Sequence, residues 1–200
     1  MAAEAPLAGL VLAGGRSQRM QRDKATLELD GETQLARAVR LLEAIVGRAF
    51  VSVRRDQTAD AERARWPQII DRMQDVGPAA GILAAQEYLP DHAWLVVAVD
   101  LPLLDAATLA RLVAARDPSA LATAYRSGTD GLPEPLCAIW EPASRAPLET
   151  FLTAGRSCPR KFLLTHRSHL IDLASADALA NMNTPDDYAA VLARASGAAQ

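Results

Sequence analysis

The chain has 200 residues, half of them apolar but only 4% aromatic, with 21 Lys and Arg against 24 Asp and Glu. That length suits one domain with a core of Ala, Leu, Val and Ile, large enough to stand without disulfide staples. A net charge of −3 argues against a broad cationic face for nucleic acid, and no run reaches the roughly 18 apolar residues of a membrane helix.

Strand-like and helix-like patterns alternate along the chain, which predicts an α/β layer architecture. Leu10, Val11 and Leu12 read as a buried strand that runs into Gly14-Gly15. Residues 33–46 carry the clearest helix, with Leu35, Val39, Leu42 and Val46 on one stripe, Thr33 as cap and Gly47 as terminator. A strand is expected over 50–53, a polar helix over 59–65, a short strand over 68–70 and a helix over 79–89. The continuous apolar run 94–99 suits a central parallel strand buried on both faces. Another helix follows over 106–115. Strands at 121–125 and 136–140 flank a Gly/Pro/Asp-rich loop over 127–135. A helix over 145–153, a strand over 169–173 and a closing helix over 185–194, with Pro185 in its first turn, complete the reading. Residues 1–6 and 196–200 read as frayed ends. No repeat or linker divides the chain, so residues 1–200 are expected to form one domain.

Cys137 and Cys158 stand alone, without the pairing or His spacing of a zinc site. Two such thiols, with no leader-like segment, suit a reduced cytoplasmic setting. The three histidines, His92, His166 and His169, show no metal-ligand spacing. Trp66, Trp94 and Trp140 read as core or rim residues.

The chemistry concentrates in residues 10–24. A strand ends in two glycines, which let backbone N–H groups approach an anion without a side chain in the way. Arg16, Arg19 and Lys24 add charge and donors. That combination suits a triphosphate, yet the spacing is neither Gly-x-x-x-x-Gly-Lys-Ser/Thr nor Gly-x-Gly-x-x-Gly. Asp100 follows the 94–99 run directly, at the strand end where ligands of open α/β sheets sit, and is placed to hold Mg²⁺ together with phosphate oxygens. Asp71 ends a second strand, with Gly77 and Gly81 flanking the entry to the next helix.

Leu-Ala-Gly-Gly-x-Ser-x-Arg-Met over Leu12 to Met20, followed by Asp23-Lys24, resembles the opening of the MobA family of molybdenum cofactor guanylyltransferases. Asp71 with Gly77-Pro78-Ala79-Ala80-Gly81, Val99-Asp100-Leu101-Pro102, and Asn181-Met182-Asn183-Thr184-Pro185-Asp186-Asp187 resemble further family segments, so the likeness spans about residues 8–192. The resemblance implies a three-layer α/β/α fold with a mostly parallel central sheet, of the glycosyltransferase-A-like type. It implies transfer of GMP from GTP to molybdopterin carrying molybdenum, with release of pyrophosphate and Mg²⁺ as cofactor. The nucleotide would lie on Leu12, Ala13, Gly14, Gly15 and Asp71. Arg19 and Lys24 would meet its phosphates, Asp100 the metal, and Asn181 and Asn183 the acceptor. Glu134-Pro135-Leu136 and the basic cluster Arg156, Arg160 and Lys161 would lie toward the acceptor. Molybdoenzymes or cofactor-delivery proteins are the protein partners implied.

Two departures bear on selectivity. Gln21 stands where the family has Gly after Arg-Met, and Arg54-Arg55 stands where it shows Asn-Arg. A cytidylyl or other small-molecule nucleotidyl transfer is the nearest alternative, and a non-catalytic GTP-binding module is the alternative of a different class.

Overall fold

A computed structural model describes residues 4–15, 23–73, 76–181 and 187. Among these, the elements in chain order are β1 (Leu7–Leu12), β2 (Glu28–Leu29), β3 (Glu32–Thr33), α1 (Gln34–Val46), β4 (Ala49–Val53), β5 (Gln68–Ile70), α2 (Pro78–Tyr88) and β6 (Ala93–Ala98). They continue with α3 (Ala106–Ala114), β7 (Ala122–Arg126), β8 (Pro133–Trp140), α4 (Arg145–Thr153), α5 (Pro159–Thr165) and β9 (Ser168–Asp172).

Seven strands form one sheet in the order β5-β4-β1-β6-β8-β7-β9, in which β8 alone runs antiparallel to its neighbours. Every residue of β4 and β6 is buried, as the unbroken apolar runs predict for strands covered on both faces. The period-two alternation of β6 divides the core. Leu95 and Val97 join Leu35, Leu42, Leu109 and Leu112 of α1 and α3 on one face. Trp94 and Val96 join Ile82, Leu148 and Phe162 of α2, α4 and α5 on the other. The result is the expected α/β/α arrangement with a mostly parallel sheet.

Local chemistry explains the boundaries. Thr33 caps α1 by accepting from the Ala36 N–H at 3.1 Å, and Gly47 ends it in the left-handed region at φ 77°. Asp105 caps α3 through the Thr108 N–H at 2.7 Å. Strands over 50–53, 68–70 and 94–99 appear within a residue of their expected positions.

Two expectations are corrected and two elements are added. The polar helix read over 59–65 is only a short 3-10 turn at Arg63–Arg65, because Trp66 is extended before Pro67 and Arg63 is drawn inward. The loop over 127–135 is shorter, since β8 already begins at Pro133. Residues 159–165 form a helix that had gone unrecognised, with Pro159 in its first turn. The β2–β3 hairpin was also missed, although Asp30 (φ 53°) and Gly31 (φ 78°) are the Asp-Gly pair that such a turn favours. The closing helix read over 185–194 lies outside the described residues, Asp187 excepted.

Helix α2 approaches the sheet very closely at Gly81, which lies inside the helix rather than in the turn before it. A Cβ there would lie 2.4 Å from Ser52 Oγ and 2.9 Å from Leu12 Cδ2. Gly81→Ala must therefore displace the Ser52 hydroxyl from Asp71 and move the Leu12 side chain, or push α2 off β1 and β4. We expect a loss of about 1–3 kcal/mol, read as a lower urea midpoint; an unchanged midpoint would contradict this packing.

Candidate active site

The sheet register brings the site together. Leu12 pairs with both Ser52 and Ala98, and Ser52 pairs with Ile69, so these four residues form one row across β5-β4-β1-β6. Two positions further along each chain stand Gly14, Arg54, Asp71 and Asp100. The chain crosses from one side of β1 to the other between β5 and β6, so this row opens at the topological switch point where open α/β sheets take their ligands.

A cleft of about 410 Å³ occupies this place. Leu12, Ala13, Gly14 and Gly15 line one side, and Lys24, Asp71 and Asp100 supply charged groups. Lys24 Nζ donates to Asp100 Oδ2 at 2.8 Å, with the two side chains 15% and 22% exposed. The pair is therefore reachable from the cleft yet largely shielded from water, where a charge contact is stronger than on an open surface.

The diglycine does not serve a left-handed backbone. Neither Gly14 nor Gly15 has a positive φ. A Cβ at Gly14 would meet Asp71 Oδ2 at 3.4 Å and Arg54 Cγ at 3.6 Å, ordinary contacts, so packing there does not by itself demand glycine. Gly15 is exposed with nothing near its missing Cβ, which leaves its backbone open to a ligand. Ala13 is not available as a donor, because its N–H is bound to the Ser52 carbonyl at 3.2 Å.

Asp71 accepts from Ser52 Oγ at 2.7 Å. Burial pushes its carboxyl up to about 6, against the lowering effects of the Ser52 hydroxyl and the Arg54 charge. Arg54, unexpected from the family pattern, closes the cleft beside it. Its guanidinium donates to the Gly14 carbonyl and to Asp56 at 3.1 and 3.0 Å.

Arg63 also escaped the sequence reading. Fully buried, it donates to the Ala13 carbonyl and to Asp23 and Asp60. The available signal was Asp23 itself, an acid amid cations expected to meet an anion.

Other expectations fare differently. Arg160 is ion-paired with Asp130 and Glu134, and Arg156 lies over the Phe151 ring at 4.4 Å, so these two serve local packing. Asn181 is exposed and is not among the residues lining the cleft. Arg16, Arg19, Gln21 and Asn183 lie outside the described residues. Trp94 and Trp140 are core residues, as expected. Among the described residues no helix is long and apolar enough to cross a membrane.

Asp100 fits a divalent ion of the Mg²⁺ type, which takes one or two carboxylates and completes its shell with phosphate oxygens and water. No group of three or more His, Cys, Asp or Glu among the described residues offers an all-protein cage.

A cleft at the switch point in which Lys24 meets Asp100, with Asp71 beside them, suits a nucleotidyltransferase. Residues 9–170 match the model of the MobA-like NTP transferase domain. A molybdenum cofactor guanylyltransferase of Rhizobium johnstonii is 37% identical over 90% of this chain and 89% of its own. A molybdenum cofactor biosynthesis bifunctional protein of Synechocystis is 33% identical over 92% of this chain, which spans only 53% of that longer protein. The solved structure of molybdopterin-guanine dinucleotide biosynthesis protein A from Archaeoglobus fulgidus superimposes with a TM-score of 0.78 at 21% identity, covering 95% of this chain and 99% of the other. The chain belongs to the MobA-like NTP transferase family. Nucleotidyltransferases of this family typically use a divalent metal.

The raised Asp71 carboxyl gives a pH signature. Its folded value of about 6 exceeds the ordinary 3.8. The unfolded chain therefore releases this proton first, and stability falls as pH rises from about 3.8 through about 6. Relative to Asp71→Asn, the wild type should lose stability across that window and stay level above it. Parallel curves in urea titrations would refute the shift.

Proposed function

We propose that the chain transfers GMP from GTP to the molybdenum cofactor, releasing pyrophosphate and forming the guanine dinucleotide cofactor. The observation that carries this reading is the Lys24–Asp100 contact inside the switch-point cleft. A binding module would not require a lysine and a metal-ready carboxylate to face the same space.

The work asked of the protein is positioning and neutralising charge. A terminal phosphate oxygen of the acceptor forms a bond to the α-phosphorus of GTP. The bond from that phosphorus to the bridging oxygen breaks, and pyrophosphate leaves with the electron pair. In this scheme the Gly14 and Gly15 backbone lies against the nucleotide, with Leu12 and Ala13 shaping the wall behind it. Asp71, when ionised, accepts from the nucleotide's N–H donors. Lys24 stabilises the phosphates and the departing pyrophosphate, with Arg19 assigned the same task. Asn181 and Asn183 are assigned to the acceptor. A divalent ion at Asp100, which we take to be Mg²⁺, would supply neutralisation of the phosphate oxygens and Lewis acidity at the α-phosphorus. We further infer that residues 1–200 act as one transferase domain in the cytoplasm, a setting that suits the free Cys137 and Cys158.

One observation favours a second reading, transfer of another nucleotide. Arg54 fills the place where an amide was expected, and it is fixed between Gly14 and Asp56. A panel of the four nucleoside triphosphates with Mg²⁺ and molybdenum cofactor decides. We expect GTP to be preferred; preference for CTP would replace guanylyl by cytidylyl transfer.

Lys24→Ala and Asp100→Ala should both remain folded and lose transfer on the order of 10²–10³-fold, the usual cost of one preorganised charge contact. Pyrophosphate release in single-turnover assays is the measurement. Near wild-type release by either variant would remove the role given to it.

A further inference from the structure

The scheme above has no use for Arg63, yet this charged side chain is only 1% exposed. A buried guanidinium is tolerable only when its donors are satisfied. Nε and Nη2 donate to the Ala13 carbonyl at 3.1 and 2.8 Å. Nη1 donates to Asp23 Oδ2 at 2.6 Å, and Nη2 to Asp23 Oδ1 at 2.9 Å. Nη1 also meets Asp60 Oδ1 at 3.1 Å. Three separate stretches of chain thus converge on one planar fork. A lysine, a point charge on a flexible stem, could not bridge them all.

We propose that Arg63 is a positioning residue, a strap that ties the end of β1 to the turn carrying Lys24 and so holds the Lys24 ammonium against Asp100. The link runs through Asp23. Its carboxylate pairs with Arg63 and also accepts from the Ala25 N–H at 3.1 Å, which starts the turn Lys24–Thr26. Burial works to raise the Asp23 carboxyl, but hydrogen bonds from Arg63 and Ala25, with the Arg63 charge, hold it below the usual value. The carboxylate thus stays charged and keeps both contacts. The same fork fixes the Ala13 carbonyl, immediately before the diglycine. One side chain therefore sets the spacing between the backbone that faces the nucleotide and the lysine that faces its phosphates. This catalytic consequence rests on the function proposed above; the strap itself does not.

The sequence supplies a ligand-free test, because the chain contains just two lysines, Lys24 and Lys161. Lys161 is exposed and serves as an internal reference. Limited acetylation of the native protein, followed by peptide mass spectrometry, gives the Lys24 to Lys161 labelling ratio. In Arg63→Met the ratio should rise. GTP affinity should fall on the order of tenfold, as for loss of one charge-assisted contact, while GMP affinity holds. Transfer should fall on the order of 10²-fold, as expected when a catalytic group is displaced. Arg63→Lys should lie between Arg63→Met and wild type. A folded Arg63→Met with the wild-type labelling ratio overturns the strap. So does equal loss of GTP and GMP binding with unchanged labelling, which would mark a general stabiliser. Should Arg63→Met fail to fold, Asp23→Ala, which removes the acceptors for Arg63 and the Ala25 N–H, cuts only the far half of the strap and must raise the ratio; an unchanged ratio overturns the proposal. A wild-type protein that binds no GTP refutes the proposed function, while the labelling ratio still decides the strap.

Discussion

The hydrogen-bonded register of β5, β4, β1 and β6 is the constraint on which the site depends. Gly14, Arg54, Asp71 and Asp100 come from four distant parts of the chain and share a row because the parallel ladders hold Leu12, Ser52, Ile69 and Ala98 level. A slip of one residue in any of these strands would turn its side chains to the opposite face. The two apolar clusters forbid that slip, since Leu95 and Val97 belong to one face and Trp94 and Val96 to the other. Burial of ordinary aliphatic residues thereby fixes the position of charged ones.

Charge around the cleft is arranged in local pairs. Lys24 meets Asp100, Arg63 meets Asp23 and Asp60, and Arg54 meets Asp56. Such pairs contribute little net stability, because desolvation cancels much of the attraction. Their value lies in geometry, since each constrains two segments at once. Asp71 stands apart. Its close partner is the neutral Ser52 hydroxyl, and its carboxyl rises accordingly. A half-buried carboxylate with only partial compensation costs stability. It places an undercompensated polar group at the mouth of an otherwise aliphatic core, beside the tight crossing at Gly81, an arrangement that suits a binding site better than a folding role.

Much of this was legible in the residues. Long or strongly patterned elements showed their type and position, as α1 did through its stripe and both caps, and β6 through its unbroken apolar run. Asp71 and Asp100 could be picked out because each ends a strand, and a strand end is a place sequence can mark. That Lys24 and Asp100 share one cleft could be expected from the motifs, but their direct contact could not, since it joins residues far apart through the register of the strands. Arg63 was hidden for another reason. Its segment mimics a polar helix in composition, but Pro67 ends it early and the contacts to Ala13 and Asp23 draw the side chain inward. Helix α5 and the β2–β3 hairpin were too short for periodicity to reveal, although the Asp30-Gly31 pair was a local sign.

Ala13 shows where scaffold gives way to site. Its N–H completes the ladder with Ser52, and its carbonyl takes the Arg63 fork, so both backbone groups are committed to the fold. The next residue touches Asp71 and Arg54 at ordinary contact distance, and the one after that has no described residue within 4 Å of its missing Cβ. Hydrogen-bonded backbone thus reaches to within a residue of the segment we assign to the nucleotide. That is the condition under which fixed dipoles stabilise developing charge without reorganising, because the donors need not move when the reaction occurs. A longer flexible lead-in to the diglycine would lose that advantage, whatever cations surrounded it.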